Sequence, residues 1–319
     1  MPQKICIVSF DHWNYDYHIA NTLNNLGHEA KHIKIGNYKH KNVKDKIINT
    51  LSKVFLGKNL KKIKRQDYIL ECLETMGKQD QILVINPEVI DLKHHKAIKK
   101  QTNRYIAYLY DSVARNPMEH LLNGLFDTIF SFDKNDIVNY GFKPISNYNY
   151  LPKLKTSTTT DYDVVYLGSF DDRLPKLISI LSFLETENIS FKCIIVGKNK
   201  ALNLLKEQYK HIIDFTESAL SQDQLIKFYQ TGNIIIDLIR DDQTGLSFRF
   251  FEAMAIQKKV ITNNKNCKNY DFYDANNIVV IDQDVKIEQS FFKTDYNPIP
   301  EDIYYKYTLE NWVKQVFKL

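Results

Sequence analysis

The stretch GNIIIDLIRDDQTGLSFRFFEAMAIQKKVITNN, residues 232–264, constrains this chain most. An apolar run from Ile234 to Ile239 leads into a polar turn that holds Asp241, Asp242, Gln243, Thr244 and Gly245. An amphipathic helix and a second short strand, Lys259–Thr262, come next. The pattern is a strand–loop–helix–strand unit of the βαβ kind. The helix starts from a polar, glycine-containing loop, so its free N–H groups and positive dipole end can face an anion. Gly245, Arg249 and Glu252 are spaced four and three apart and share one helical face. On that face Arg249 suits a phosphate, and Glu252, deeper along, suits the hydroxyls of a ribose. The plain alternative is an i,i+3 ion pair between Arg249 and Glu252 on a solvated face.

Length and composition set the frame for this unit. A chain of 319 residues is long enough for two domains, and 44% hydrophobic with 13% aromatic residues supports packed cores rather than disorder. Cys6, Cys72, Cys193 and Cys267 lie far apart without a CxxC pair, which excludes a disulfide frame or a cysteine zinc site and reads as reduced thiols in a cytosolic protein. The N-terminal MPQKICIVSF runs directly into a strand and lacks the apolar core of a signal peptide. No stretch approaches the roughly 18 apolar residues of a membrane span. The expected location is cytoplasmic, with peripheral contact at the inner face of the membrane as an option.

That option comes from charge. The net charge of +5 is concentrated in residues 39–65, which hold nine lysines and Arg65, with Ile47, Leu51, Val54 and Phe55 on one helical stripe. A basic amphipathic helix can lie on anionic lipid. A domain helix with a lysine-covered outer face explains the same pattern. The run lacks interleaved stacking aromatics, and no nucleic-acid motif is present, so nucleic acid is not an expected partner.

Both halves alternate strands and helices. Expected strands are Lys4–Phe10, Glu29–Ile35, Gln81–Asn86, Arg104–Tyr110, Asp127–Phe132 and Ile145–Tyr150, then Val164–Gly168, Phe191–Gly197, Ile212–Phe215, Asn233–Ile239, Lys259–Thr262 and Ile278–Ile281. Continuous apolar runs such as ICIVSF and ILVIN suit strands buried on both faces of a parallel sheet. Helices are expected at 19–26, 44–55, 133–140, 174–185, 201–209, 222–229 and 247–255, with one helix from Pro300 to Phe317. PKLKTSTTT, residues 152–160, is the linker candidate. The expected fold class is α/β, two doubly wound Rossmann-like domains facing across a cleft: residues 1–152, residues 161–297, and a C-terminal helix, 298–319, that can cross back to the first domain. Ligands in such sheets bind beyond the strand C-termini.

The motifs YLYDSVARNP (108–117), FDTIFSFDKNDIVNYGF (126–142), YLP (150–152), VVYLGSF (164–170) and GLSFRFFEAMAIQKKVITNN (245–264) occur in an order that resembles GT-B glycosyltransferases. More narrowly, the chain is similar to the bacterial glycosyl transferases group 1-like proteins related to the spore-coat protein CgeB, often found in polysaccharide gene clusters. The resemblance spans roughly residues 80–282. It implies transfer of a sugar from a nucleotide-diphosphate donor, UDP-hexose favoured, to a glycan or lipid-linked glycan. The C-terminal domain would hold the donor and the N-terminal domain the acceptor. By the same resemblance Glu252 would bond the donor ribose, while Thr244, Gly245 and Ser247 would approach the diphosphate. The loop reads QTGLS and lacks the first glutamate of the EGFG-like run of related enzymes.

Around this core, Gly168 and Ser169 follow a strand and precede a helix that Arg173 opens, so they can turn backbone N–H groups toward a phosphate. Gly168 also fits an ordinary turn. Gly197 and Lys198 end another strand, but a lone Gly-Lys is not a Walker loop. For the base that takes the acceptor proton, Asp111 comes first, at the end of YIAYLY, with Arg115 four residues on to orient it or to touch a phosphate. Asp111 also suits a helix cap. Asp11 and His12 form the second pair of base candidates. Trp13, Tyr15 and Tyr17 can stack on a sugar ring or simply pack. No cofactor is expected and no metal: Asp161-Tyr162-Asp163 precedes a strand instead of following it, and the adjacent His94 and His95 cannot easily face one ion. The rival readings are a nucleotide-sugar epimerase of the same fold, a non-catalytic nucleotide-sugar or glycan-binding module, and a lipid-surface protein.

Overall fold

The computed structural model describes residues 1–11, 13–37, 60–154, 160–197, 202–240 and 243–319. The expected helix at 44–55 and most of the basic run therefore lie outside the described residues, as do His12, Lys198, Asp241 and Asp242. Two compact units are present, Met1–Ile145 with Leu309–Leu319, and Ser146–Thr308.

The first unit runs β1 (Lys4–Ser9), α1 (Tyr15–Asn25), β2 (Glu29–Lys34), α2 (Leu60–Met76), β3 (Gln79–Ile85), α3 (Leu92–Lys99), β4 (Thr102–Leu109), β5 (Thr128–Ser131), α4 (Lys134–Tyr140) and β6 (Lys143–Pro144). The second runs β7 (Tyr162–Ser169), α5 (Leu174–Thr186), β8 (Phe191–Val196), α6 (Leu202–Tyr209), β9 (Asp214–Thr216), α7 (Gln222–Gln230), β10 (Gly232–Asp237), α8 (Phe248–Ala255), β11 (Lys259–Thr262), β12 (Ile278–Val280), α9 (Gln289–Lys293) and α10 (Glu301–Lys306). A last helix, α11 (Leu309–Phe317), belongs to the first unit.

Each unit carries a six-stranded sheet, in the orders β2-β1-β3-β4-β5-β6 and β12-β11-β10-β7-β8-β9. Every pairing between these strands is parallel. The cause is local: Ile5 to Val8, Ile82 to Ile85 and Ile234 to Ile236 are buried as unbroken apolar runs, so both sheet faces must be covered. In each sheet the chain starts in the middle, runs to one edge and returns to build the other side. The strand order therefore reverses between β1 and β3 in one unit and between β7 and β10 in the other. Those two reversal points, at the strands' C-terminal ends, are where open α/β sheets take ligands.

In the first unit, Ile69 and Leu73 of α2 pack on Val8, Ile82, Val84 and Tyr105. In the second, Leu177, Leu181 and Leu184 of α5 cover one face, while Phe250, Phe251 and Met254 of α8 cover the other with Tyr229 of α7. α7 starts from a complete capping box between Ser221 and Gln224. The last helix buries Trp312, Val313, Val316 and Phe317, and the Trp312 ring meets Tyr108 edge-on at 5.1 Å. Its open C-terminal carbonyls are closed by side chains, Arg104 donating to Val316 O at 2.8 Å and Gln81 to Phe317 O at 2.8 Å.

Two expected elements differ. Ile145–Tyr150 is not a strand. Its asparagines make side-chain bonds instead, Asn147 donating to Leu246 O at 2.8 Å and Asn149 to the Tyr304 hydroxyl at 2.7 Å. The expected helix from Pro300 to Phe317 is two helices, because Tyr307 gives its carbonyl to the Asn149 N–H at 2.7 Å and Thr308 bridges to Asn149. No described helix is long and apolar enough to cross a membrane.

Candidate functional site

At the reversal point of the second unit, β7 and β10 end side by side and deliver three arginines. Arg173 lies just before α5 and wraps back on Asp171, with Nε at 2.9 Å and Nη2 at 2.6 Å, while its Nη1 donates to Leu238 O beyond β10 at 2.7 Å. Arg240 reaches the same carboxylate from the other strand, Nη2 to Asp171 Oδ2 at 2.7 Å, and its Nε lies 3.3 Å from the exposed Asp172. Burial works against the charge on Asp171, yet the bonds from Arg173 and the field of Arg240 hold its carboxyl below the usual range. Asp171 is thus shared by two guanidiniums, and Asp172 pairs with one of them at the exposed rim.

The third arginine is Arg249, on α8. Its guanidinium donates to Asp237 Oδ1 at 2.7 Å, to the Tyr229 hydroxyl at 3.0 Å and to Leu167 O at 2.9 Å, and it lies 5.6 Å from the Tyr166 ring centre. Burial opposes its charge, but Tyr229, Asp237 and Tyr166 more than offset this, so it stays fully protonated. Ser247 caps α8: its Oγ accepts from the Arg249 N–H at 3.2 Å and donates to Asp237 Oδ1 at 2.7 Å. Asp237 Oδ2 is buried and has no hydrogen-bond partner among the described residues. Around the same tip, Gly245 O accepts from Asn264 and Thr244 is half-buried. Glu252 is buried and accepts from the Tyr150 hydroxyl at 2.7 Å. The expected alternative, an ion pair between Arg249 and Glu252, is not formed, because strand-borne Asp237 captures the arginine and Tyr150 the glutamate.

Gly168 sits opposite Tyr166 on one face of β7. A Cβ there would fall on the Tyr166 hydroxyl and 2.7 Å from Cζ, so only glycine leaves room for the ring that Arg249 lies against. Ser169 is exposed at the strand's end, and Gly197 donates its N–H to Thr216 O at 2.9 Å.

In the first unit the reversal point gathers carboxyl groups. Asp11, with φ 47°, is buried and accepts from the Asp16 N–H at 3.1 Å. Its Oδ2 has no hydrogen-bond partner among the described residues, with Lys34 Nζ at 3.7 Å and His32 Nδ1 at 3.9 Å. Asp16 is buried beside it and accepts from the Tyr110 hydroxyl. Burial pushes the Asp16 carboxyl up to about 7, with Asp11 adding to the rise against the bonds from Ser9 and Tyr110. Burial lowers His32, opposed by Asp11. Asp111 follows β4 and takes Arg115 Nη1 at 3.3 Å, four residues on as the spacing implies. Trp13 and Tyr17 are among the most exposed aromatic side chains of the described residues.

The rejected metal motifs have structural employment. Asp163 accepts from Ser190, His94 lies 3.0 Å from Asp67, and His95 bonds Tyr105 and Pro87 O. Among the described residues no three His, Cys, Asp or Glu side chains assemble as a metal site requires.

Sequence reading missed Asp171, Arg240, Asp237 and Asp16. A signal existed for two: Arg240 ends the apolar run of β10, and Asp171 follows VVYLGSF, so both stand at strand C-termini in ligand loops.

No family model matches the sequence, and no curated protein matches it. Solved structures do. The lipopolysaccharide outer core galactosyltransferase WaaB aligns over 99% of both chains with TM-score 0.56 and 11% identity. AviGT4, a glycosyltransferase involved in avilamycin A biosynthesis, aligns over 99% of this chain and 96% of its own, with TM-score 0.62 and 9% identity. An alpha-glucosyltransferase bound to UDP and a 13-mer DNA covers 100% of this chain with 94% of its own, TM-score 0.59 and 12% identity. The fold is that of the GT-B glycosyltransferases.

Proposed function

We propose that this chain is a glycosyltransferase that moves a sugar from a nucleoside-diphosphate donor, UDP-hexose favoured, onto a hydroxyl of a glycan. The observation that carries the reading is the arginine cluster at the C-terminal ends of β7 and β10, where Asp171 is shared by Arg173 and Arg240. A diphosphate leaving group develops negative charge as the glycosidic bond breaks, and pre-placed guanidiniums stabilise it without reorganisation. The capped tip of α8 with Thr244 and Gly245, and the Gly168–Ser169 turn, border the same strand ends. Glu252 is the ribose partner in this reading, exchanging the Tyr150 hydroxyl for those of the sugar. The first unit supplies the acceptor side, where carboxyl groups gather beyond β1, β3 and β4. The acceptor is a bacterial surface polysaccharide or its lipid-linked precursor, reached from the cytoplasmic side, and the guanidiniums take the place of a divalent metal.

Several structures of this fold hold UDP or UDP-glucose, which supports the donor class. The test is a thermal-shift screen of UDP-, GDP-, CMP- and dTDP-sugars, since a ligand that binds the folded state raises its stability. One nucleotide class should stabilise the second unit, Arg240→Ala should weaken that shift, and EDTA should leave transfer intact. If no sugar nucleotide changes the melting temperature, or if EDTA abolishes transfer and manganese restores it, the corresponding part of the reading is wrong.

A further inference from the structure

We propose that the second unit binds a monovalent anion of halide size in a cavity at the N-terminal edge of β11 and β12, held by the Lys258 ammonium and the Tyr296 hydroxyl. The whole lining belongs to that unit. Because the sheet is parallel, the starts of β11 and β12 lie at the opposite edge from the arginine cluster beyond β7 and β10. The cavity is therefore separate from the site described above.

The lysine arrives there through the end of α8. Gln257 is left-handed, φ 54°, and its N–H donates to Met254 O at 3.3 Å, while the Lys258 N–H donates to Ala253 O at 2.9 Å. This is a Schellman closure, in which the residue after the left-handed one usually turns an apolar side chain back onto the helix. Here that position is a lysine, only 3% exposed. Its neighbour shows what a buried ammonium ordinarily needs. Lys259 faces the other side of the sheet, where its Nζ donates to Phe291 O at 2.9 Å and to Thr294 Oγ1 at 2.6 Å and lies 4.8 Å from the Phe291 ring centre. Lys258 forms no ion pair and no side-chain hydrogen bond among the described residues; burial lowers its amine, and no neighbouring charge opposes this. A buried charge without a partner is costly, and an anion beside it offsets that cost.

The cavity measures about 20 Å³ and is walled by Phe250 and Met254 of α8 with Val260, Phe272 and Ile278. It admits one species little larger than a water. That size excludes a nucleotide or a sugar, and one lysine among apolar walls matches one negative charge rather than two. Tyr296 supplies the second donor. Burial raises its phenol, with Tyr304 and Asp274 adding to the rise, so it remains an O–H, and that hydroxyl has no hydrogen-bond partner among the described residues. Asp274 lies outside the lining and is itself taken, by the Asn276 N–H at 2.7 Å and Asn297 Nδ2 at 2.9 Å. Asn277 fixes the segment that carries Tyr296: its Nδ2 donates to Asn297 O at 2.7 Å and its Oδ1 accepts from the Asn297 N–H at 2.8 Å. Through Phe250 and Met254 the bound anion also braces α8, the helix of Arg249 and Glu252.

The test is thermal unfolding of the full chain at constant ionic strength, with chloride replacing gluconate. The wild type should gain about 2–4 °C, because an ion that binds only the folded state adds stability. Lys258→Met keeps the volume and removes the charge; it should melt no lower than the wild type in gluconate and gain nothing from chloride. Tyr296→Phe should keep the fold and weaken the chloride effect at least threefold in concentration. Bromide should replace chloride, and its anomalous scattering in a crystal should place one ion beside Lys258 Nζ. A chloride gain of equal size in the wild type and Lys258→Met overturns the proposal, as does a water at that place in a crystal grown in bromide.

Discussion

Replacing Arg249 by methionine tests whether this arginine holds the second unit together or waits for a ligand. The variant keeps most of the aliphatic stem and removes the guanidinium. Asp237, whose side chain is 0% exposed, would lose its 2.7 Å partner and keep only the Ser247 hydroxyl on Oδ1. Stranding one member of a buried pair costs about 3–5 kcal/mol. The Tyr229 hydroxyl and Leu167 carbonyl also lose a donor each, at about 1–3 kcal/mol apiece when left unsatisfied. These groups belong to one network, so the losses overlap, and a total of about 4–6 kcal/mol is expected. Both tryptophans, Trp13 and Trp312, lie in the first unit, so intrinsic fluorescence does not report this loss. Hydrogen exchange of the β10 amides, Gly232–Asp237, does. Adding Asp237→Asn removes the stranded charge and should recover about 2 kcal/mol or more. If Arg249→Met exchanges within about 1 kcal/mol of the wild type yet loses nucleotide binding, the guanidinium is a ligand group and the structural account of the network is wrong.

Three further outcomes follow from the packing of these side chains. Folded Asp16 keeps its proton up to about pH 7, whereas the unfolded carboxyl releases it near ~3.9, so between these values the folded chain binds more protons and stability falls as pH rises; Asp16→Asn should flatten that slope by about 3–4 kcal/mol between pH 4 and 7.5, read by urea unfolding with Trp13 and Trp312 fluorescence. Gly168→Ala should cost about 1–3 kcal/mol in the second unit, since Tyr166 must leave its place beside Arg249, and an unchanged melting temperature would refute the packing argument. Arg104→Ala should loosen the last helix by about 1–3 kcal/mol, because Val316 O loses its cap and Gln81 its partner; protection of α11 amides in hydrogen exchange checks it.

Much of the architecture was legible because parallel, doubly covered strands must be continuous apolar runs, and ICIVSF, ILVIN and NIIIDL are such runs. The elements that escaped were decided by distant partners. Nothing within 145–150 announces that Asn147 will bond Leu246 or Asn149 Tyr304, and the break at Tyr307–Thr308 depends on that same Asn149. The site shows the same division. Spacing along α8 placed Arg249 and Glu252 on one helix face, yet their partners, Asp237 and Tyr150, come from elsewhere in the chain. Likewise Asp16 meets Tyr110 across 94 residues, and Asp171 meets Arg240 across 69. Periodicity reveals which strand end a residue occupies; it does not reveal which charge will stand opposite.

The most direct measurement is a hydrogen-exchange footprint of UDP on the intact chain. Protection concentrated in residues 168–173 and 243–249, lost in Arg240→Ala, is the predicted result. UDP binding that leaves these two loops unprotected, or protects the first unit instead, would contradict a donor site at the ends of β7 and β10.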